Sequence, residues 1–171
     1  MKLNPEAINI RAIQKQDESH LAAIIRTVFE EHEAPKQGTV YSDPTTDHLF
    51  ELFKREGATL WVATTNEEIL GCCGIYPTEG LPLDTAELVK FYLCSTARGK
   101  GIGKLLLEQS INAARKWGYK KIYLESMPQF SRAVSFYKRL GFQSLQQPMG
   151  NSGHTSCSIW MLLQLESSLQ G

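Results

Sequence analysis

The stretch AELVKFYLCSTARGKGIGKLLLEQSINAARKWG, residues 86–118, decides the fold. Leu88, Val89, Phe91, Tyr92 and Leu93 make a nearly continuous apolar run, which suits a strand buried on both faces. Arg98-Gly99-Lys100-Gly101-Ile102-Gly103 follows, with three glycines in five positions. Leu107, Ile111 and Ala114 then recur at helical spacing, and Gly118 stands where a helix C-cap would. Strand, glycine turn and helix in that order aim backbone N–H groups at one point on a helix N-terminus, which is an anion site. Arg98, Lys100 and Lys104 add positive charge there. On these residues alone the turn has two readings, a phosphate cradle or a tight turn whose glycines serve packing. The pattern R-G-x-G-x-G is not the G-x-G-x-x-G of a dinucleotide fold, although Glu125 near the end of the next strand keeps that reading open. The Gly-Lys-Ser/Thr of a Walker loop is absent.

Outward from this stretch the chain alternates strands and helices. Upstream, Ile8, Ile10 and Ala12 alternate with polar residues as a short first strand. Asp17 or Ser19 is placed to cap a helix whose apolar face is Leu21, Ile24, Ile25 and Val28. A second helix is predicted over residues 47–55, with Leu49, Leu52 and Phe53 inward. Residues 59–65 and 69–76 read as an antiparallel hairpin turning at Asn66-Glu67-Glu68, and Gly71 and Gly74 predict a bulge or close packing in its second strand. Downstream, residues 121–126 form a short buried strand parallel to the central one. Ser131 is expected to cap a helix that presents Ala133, Phe136, Tyr137 and Leu140 on one face. Strands beginning at Phe142 and spanning residues 155–165 close the chain, and the last of them, if exposed, could pair with a second copy in a homodimer.

The composition narrows the classes. A chain of 171 residues is expected to form a single domain over 1–171, with its core over 8–165. Apolar residues make up 42% and charged residues 21%, which is a globular balance. Eighteen basic residues offset eighteen acidic ones, so no global field favours nucleic acid or an anionic membrane, and anion recognition must be local. No apolar run reaches spanning length and the opening MKLNPEAINIRAIQ lacks a signal-peptide core, so cytoplasm is the expected location. Cys72, Cys73, Cys94 and Cys157 form no C-x-x-C pair and read as buried thiols, with no metal expected. Neighbouring Cys72 and Cys73 should point to opposite faces of their strand.

Strand, R-G-K-G-I-G, helix and strand are followed by Ala133-x-x-Phe136-Tyr137-x-x-Leu140-Gly141-Phe142. Together they closely resemble the GNAT superfamily of acyl-CoA-dependent N-acetyltransferases, most specifically over residues 86–142 and in element order over 8–165. The resemblance implies an α/β (α+β) fold: a mixed, strongly twisted sheet of six to seven strands, flanked by about four helices, that splays open after its fourth strand. It implies acetyl-CoA in the splay, with its pyrophosphate on the turn of Arg98, Gly99, Lys100, Gly101, Ile102, Gly103 and Lys104. The backbone of Phe91, Tyr92 and Leu93 would pair with the pantetheine amides as an added strand does. The function implied is direct acetyl transfer to a primary amine of a small molecule, an amino acid or a peptide. A non-catalytic acyl-CoA sensor is the alternative on the same fold.

Tyr137 falls where the family has a tyrosine able to protonate the departing thiolate; by periodicity alone it reads as a core aromatic on an apolar helix face. Glu87, at the start of the central strand, is the candidate base, against the alternatives of an edge-exposed glutamate or a carboxylate that only pairs with the acceptor's cation. His154, in a glycine-flanked loop before the last strand, is a candidate contact for the acceptor or a hydrogen-bonded loop histidine. Lys90, Glu125 and Cys94 rank below these. An asparagine that many family members carry before the tyrosine helix falls here on Gln129-Phe130-Ser131.

Overall fold

A computed structural model describes residues 7–66 and 68–166 of the chain. Seven strands form one mixed sheet: β1 (Asn9–Ala12), β2 (Thr59–Thr65), β3 (Glu68–Tyr76), β4 (Thr85–Leu93), β5 (Lys121–Ser126), β6 (Gln143–Leu145) and β7 (Ile159–Gln164). Their order across the sheet is β1-β2-β3-β4-β5-β7-β6. All neighbours are antiparallel except β4 and β5. Four α-helices flank the sheet: α1 (Glu18–Glu31), α2 (Leu49–Leu52), α3 (Ile102–Trp117) and α4 (Ser131–Arg139). No helix among the described residues is long and apolar enough to cross a membrane.

The alternation of β3 sorts the core. Cys73 and Ile75 face a cluster with Ile102 and Leu106 of α3, Leu88, Ile122 and Leu124. Cys72, on the other face, joins Leu21, Ile25 and Phe29 of α1, Leu49 and Val62. Each fully buried Leu, Ile or Phe contributes roughly 1.5–3 kcal/mol relative to exposure, so both faces of the sheet are anchored. The two adjacent cysteines therefore do point to opposite faces, and all four cysteines are free.

The feature that makes the site is the short reach of the β4–β5 pairing. It covers Thr85↔Lys121, Ala86↔Ile122 and Glu87↔Tyr123, while β5 continues along β7 to Ser126. Beyond Glu87 the β5-facing edge of β4 has no strand partner among the described residues, and the sheet opens. On its other side β4 stays on β3, and there the register slips: Cys72 faces Tyr92 but Gly74 faces Val89, so β4 carries one extra residue. Lys90 lies in that bulge with φ 56°, a left-handed backbone rare for a non-glycine residue. The expected irregularity near Gly74 is thus present, but the extra residue belongs to β4. A second slip, between Ala63 and Thr64, places Leu70 as the extra residue of β3.

Gly71 and Gly74 serve close packing. A Cβ on Gly71 would run into the Tyr92 carbonyl, and one on Gly74 into the Thr59 carbonyl. Gly71→Ala is expected to push β3 off β4 and cost about 1–3 kcal/mol of stability, read from the midpoint of urea unfolding.

Several elements depart from the sequence expectation. The helix predicted over 47–55 is α-helical only at Leu49–Leu52, after a 3₁₀ turn at Pro44–Asp47. His48 between them has φ −132°, which interrupts one continuous helix, yet Leu49 and Phe53 still reach the core. Asp17 does precede α1, but its carboxylate receives Arg11 at 2.7 and 2.9 Å instead of capping the helix. Ser131 is the first residue of α4, not its cap. The last strand is shorter than predicted, and it lies between β5 and β6, so it is not the exposed edge from which pairing with a second copy was expected. Glu67 of the expected hairpin turn is outside the described residues.

Candidate active site

A cavity of about 540 Å³ occupies the opening of the sheet. That volume is within the range of small-molecule sites. One wall is the free edge of β4, a second is the turn into α3, a third is α4, and the far end is closed by α1 and the loop holding His154.

The turn into α3 is built for an anion. Gly99 and Gly101 have φ 74° and 81°, and a Cβ on either would meet nothing within 4 Å, so open space lies before them. Gly101 is the left-handed residue from which α3 starts, and no acidic side chain sits in the first turn of the helix. The first N–H groups of α3 have no intrahelical acceptors and carry the positive end of its dipole. At Gly103 the role is packing: a Cβ would press on Phe91 at 3.1 Å and Leu93 at 3.3 Å, so this glycine brings α3 onto the free end of β4. The residues present therefore fit a pyrophosphate. The cations of the turn are arranged differently from a simple ring of charge. Arg98 donates to the Leu93 carbonyl at 2.9 and 3.2 Å and pairs with Glu31 of α1 at 2.8 Å, tying turn, strand and helix together. Lys100 Nζ donates to the Thr96 carbonyl at 2.6 Å. Lys104 is exposed, with Glu108 at 3.9 Å.

Tyr137 projects from α4 toward β4. Its ring lies 6.1 Å from that of Phe91 and 5.6 Å from that of Phe142, and it lines the cavity. Burial raises its pKa, which keeps the phenol protonated and available as a donor. Glu87 is only 4% exposed and lines the same cavity. Its Oε1 has no hydrogen-bond partner among the described residues. Burial, then the charge of nearby Glu125, pushes its pKa up to about 7. That value is matched to general-base work near neutrality.

Around Glu87 gather groups that the sequence reading set aside or did not reach. One ligand-type atom each of Glu87, Glu125 and His154 lie within 4.8 Å of one another. Glu125 accepts from Tyr123 Oη at 2.7 Å and from Ser152 Oγ. His154 Nε2 is 3.1 Å from Asp43 Oδ2, across 111 residues of chain, and Asp43 Oδ1 accepts from Thr45. Burial works against the ionised form of Asp43, but the bonds from Thr45 and His154 prevail and lower its pKa. His154 is thus a hydrogen-bonded loop histidine, one of the readings given for it, and it also lines the cavity. Lys90, buried beside Glu87, was also legible in part: a lysine inside the apolar run ELVKFYL is a signal that the strand passes a polar site. Asp43 carried no such signal, because the loop that brings it to His154 has no periodicity. Gln129, at the position of the family's asparagine, lines the cavity from the turn before α4.

Comparison with known proteins gives the class. The model of the acetyltransferase (GNAT) family matches residues 25–142. The N-acetyltransferase YjgM of Escherichia coli K12 is 33% identical over 162 residues, covering 94% of this chain and 97% of that protein. An acetyltransferase of the GNAT family from Staphylococcus aureus Mu50 superposes with a TM-score of 0.82 at 22% identity, over 94% of this chain and all of that one. The PaiA N-acetyltransferase of Thermoplasma acidophilum, solved in complex with coenzyme A, superposes with a TM-score of 0.71 at 21% identity, over 92% of this chain and 98% of that one. The chain belongs to the acetyltransferase (GNAT) family. The family and the 33%-identical relative give its activity class as N-acetyltransferase.

Proposed function

We propose that the protein moves the acetyl group of acetyl-CoA directly to a primary amine of a small molecule, an amino acid or a peptide, with Glu87 as general base and Tyr137 as general acid. The observation that carries this reading is the convergence on one cavity of an open glycine cradle, an unpaired strand edge, a buried carboxylate titrating near 7 and a buried phenol. Bound there, acetyl-CoA supplies a thioester already activated toward amines.

The backbone N–H groups of residues 99–104 hold the pyrophosphate at the start of α3. The free edge of β4 at Phe91, Tyr92 and Leu93 takes the amide groups of the pantetheine arm, and a backbone N–H near Leu93 polarises the carbonyl under attack. Arg98 keeps the Leu93 end of this edge fixed through its two bonds to the carbonyl. Glu87, when ionised, accepts a proton from the acceptor's ammonium, directly or through a water it holds, which frees the lone pair for attack. Tyr137 donates a proton to the departing thiolate sulfur. No step uses a cysteine nucleophile: Cys72 and Cys73 are sealed in the two cores, and burial, with the nearby carboxylates, pushes the Cys157 thiol up to about 12.

Direct transfer requires a ternary complex. Initial velocities measured over both substrates should give intersecting double-reciprocal lines; parallel lines, the signature of an acyl-enzyme, contradict the reading. The cradle has its own test. Gly101→Val forces a β-branched residue into φ 81°, so calorimetric titration should find CoA bound about tenfold more weakly or worse.

A further inference from the structure

Among the described residues, Lys90 is the one strongly buried cation of the cavity, and the acetyl-transfer chemistry leaves it without a task. It is 6% exposed and lines the cavity from the bulge of β4. Ammonium groups are almost never buried so far without a partner, because desolvation of the charge is costly. Among the described residues, Lys90 Nζ makes no hydrogen bond and no ion pair.

The carboxylates near it are otherwise engaged. Asp43 is held by His154 on one oxygen and by Thr45 on the other. Glu125 is held by Tyr123 and Ser152. Glu87, three residues before Lys90 on the same strand, is the group that receives the acceptor's proton in the reading above. This end of the cavity therefore holds a buried lysine and a buried carboxylate together, and Glu87 Oε1 has no hydrogen-bond partner among the described residues. Burial lowers the pKa of Lys90, and Asp43 and Glu87 oppose that shift.

We infer that Lys90 anchors a carboxylate of the acceptor, so that the acceptor is an amino acid whose ammonium lies at Glu87 and whose carboxylate lies at Lys90. The inference rests on the acetyl-transfer reading of the site. A zwitterion completes both groups at once. A simple monoamine satisfies Glu87 and leaves Lys90 with only the charges of Asp43 and Glu87 nearby. In a site shielded from water the lysine–carboxylate contact is stronger than on a surface, and it fixes which end of the acceptor faces the thioester.

The test needs no variant to begin. Free amino acids, their carboxamides and the amines left by decarboxylation are compared by acetyl-CoA-dependent thiol release with the wild-type protein. The expected result is a kcat/KM about 10- to 100-fold higher for an amino acid than for its carboxamide or its decarboxylated amine, carried mainly by KM. Lys90→Met should reduce that preference to near parity, and Lys90→Arg should retain part of it. Turnover of carboxamides and simple amines at parity with amino acids overturns the anchor and leaves acetyl transfer standing. So does an unchanged preference in Lys90→Met. Absence of thiol release with any amine removes the acetyl-transfer reading and the inference with it. If the bulge does not tolerate substitution, the wild-type comparison still decides whether the acceptor is an amino acid, and a wild type without that preference overturns the anchor.

Discussion

Tyr137→Phe is expected to lower kcat by about 10²- to 10⁴-fold while CoA still binds, the range that a positioned proton donor supplies. The substitution removes one oxygen and keeps the ring. The ring is what packs on Phe91 and Phe142, at 6.1 and 5.6 Å, so the fold should be almost unaffected. The hydroxyl makes no hydrogen bond to other described residues and belongs to a side chain that lines the cavity, so no buried partner is left unsatisfied. The loss should fall on kcat and kcat/KM together, because the proton is needed only as the thiolate departs. Unchanged kcat in Tyr137→Phe, with thermal stability intact, would assign Tyr137 to packing alone.

Glu87→Gln is the second large effect, and it separates catalysis from stability. As a base Glu87 must be ionised, so the wild-type kcat/KM should fall below pH about 7. The groups that act on it are Glu125, Thr78 and Lys90, with His154 close by. Glu87→Gln should lower kcat/KM by about 10²-fold at pH 8 and abolish that limb of the profile. Stability should move the other way. The folded-state pKa near 7 is above the ordinary 4.5, so the protonated form is the one the fold favours. Its contribution is fully present below pH 4.5 and is lost as pH rises through 7. The difference amounts to roughly 3 kcal/mol at pH 8. Glutamine is neutral throughout, so urea unfolding should find Glu87→Gln more stable than wild type at pH 8, with the advantage vanishing toward pH 4. A variant that is slower and no more stable at pH 8 would mean that Glu87 is ionised at little cost and is not the tuned base.

The glycine turn of the candidate site was legible because its information is local. Gly99 and Gly101 adopt the positive φ that their spacing implied, Gly118 closes α3 at φ 92°, and α3 begins where the turn ends. The fourth helix could be read from Ala133, Phe136, Tyr137 and Leu140, and its Tyr137 packs against Phe91 of β4 and against Phe142. The acceptor half depended on long-range closure. Asp43 meets His154 across 111 residues, and Ser152 meets Glu125 across 27, so no window of sequence holds either pair. The bulge at Lys90 was hidden for a related reason. Gly74 announced an irregularity, but which strand takes the extra residue depends on how β3 and β4 settle against each other. The helix predicted over 47–55 was misjudged because Leu49, Leu52 and Phe53 suit one helical turn as well as they suit a longer helix. Even the opening of the sheet, on which everything turns, is a matter of where pairing stops, after Glu87 and Tyr123.

The central claim is that this opening holds acetyl-CoA and passes its acetyl group to an amine. The most direct measurement incubates the wild-type protein with acetyl-CoA and a panel of amines, amino acids and peptides, and quantifies free thiol and N-acetylated product in the same samples. The expected result is equimolar thiol and N-acetyl product with at least one acceptor class, and no thiol above background without acceptor. Thiol released without matching N-acetyl product, or none released with any acceptor, would contradict it.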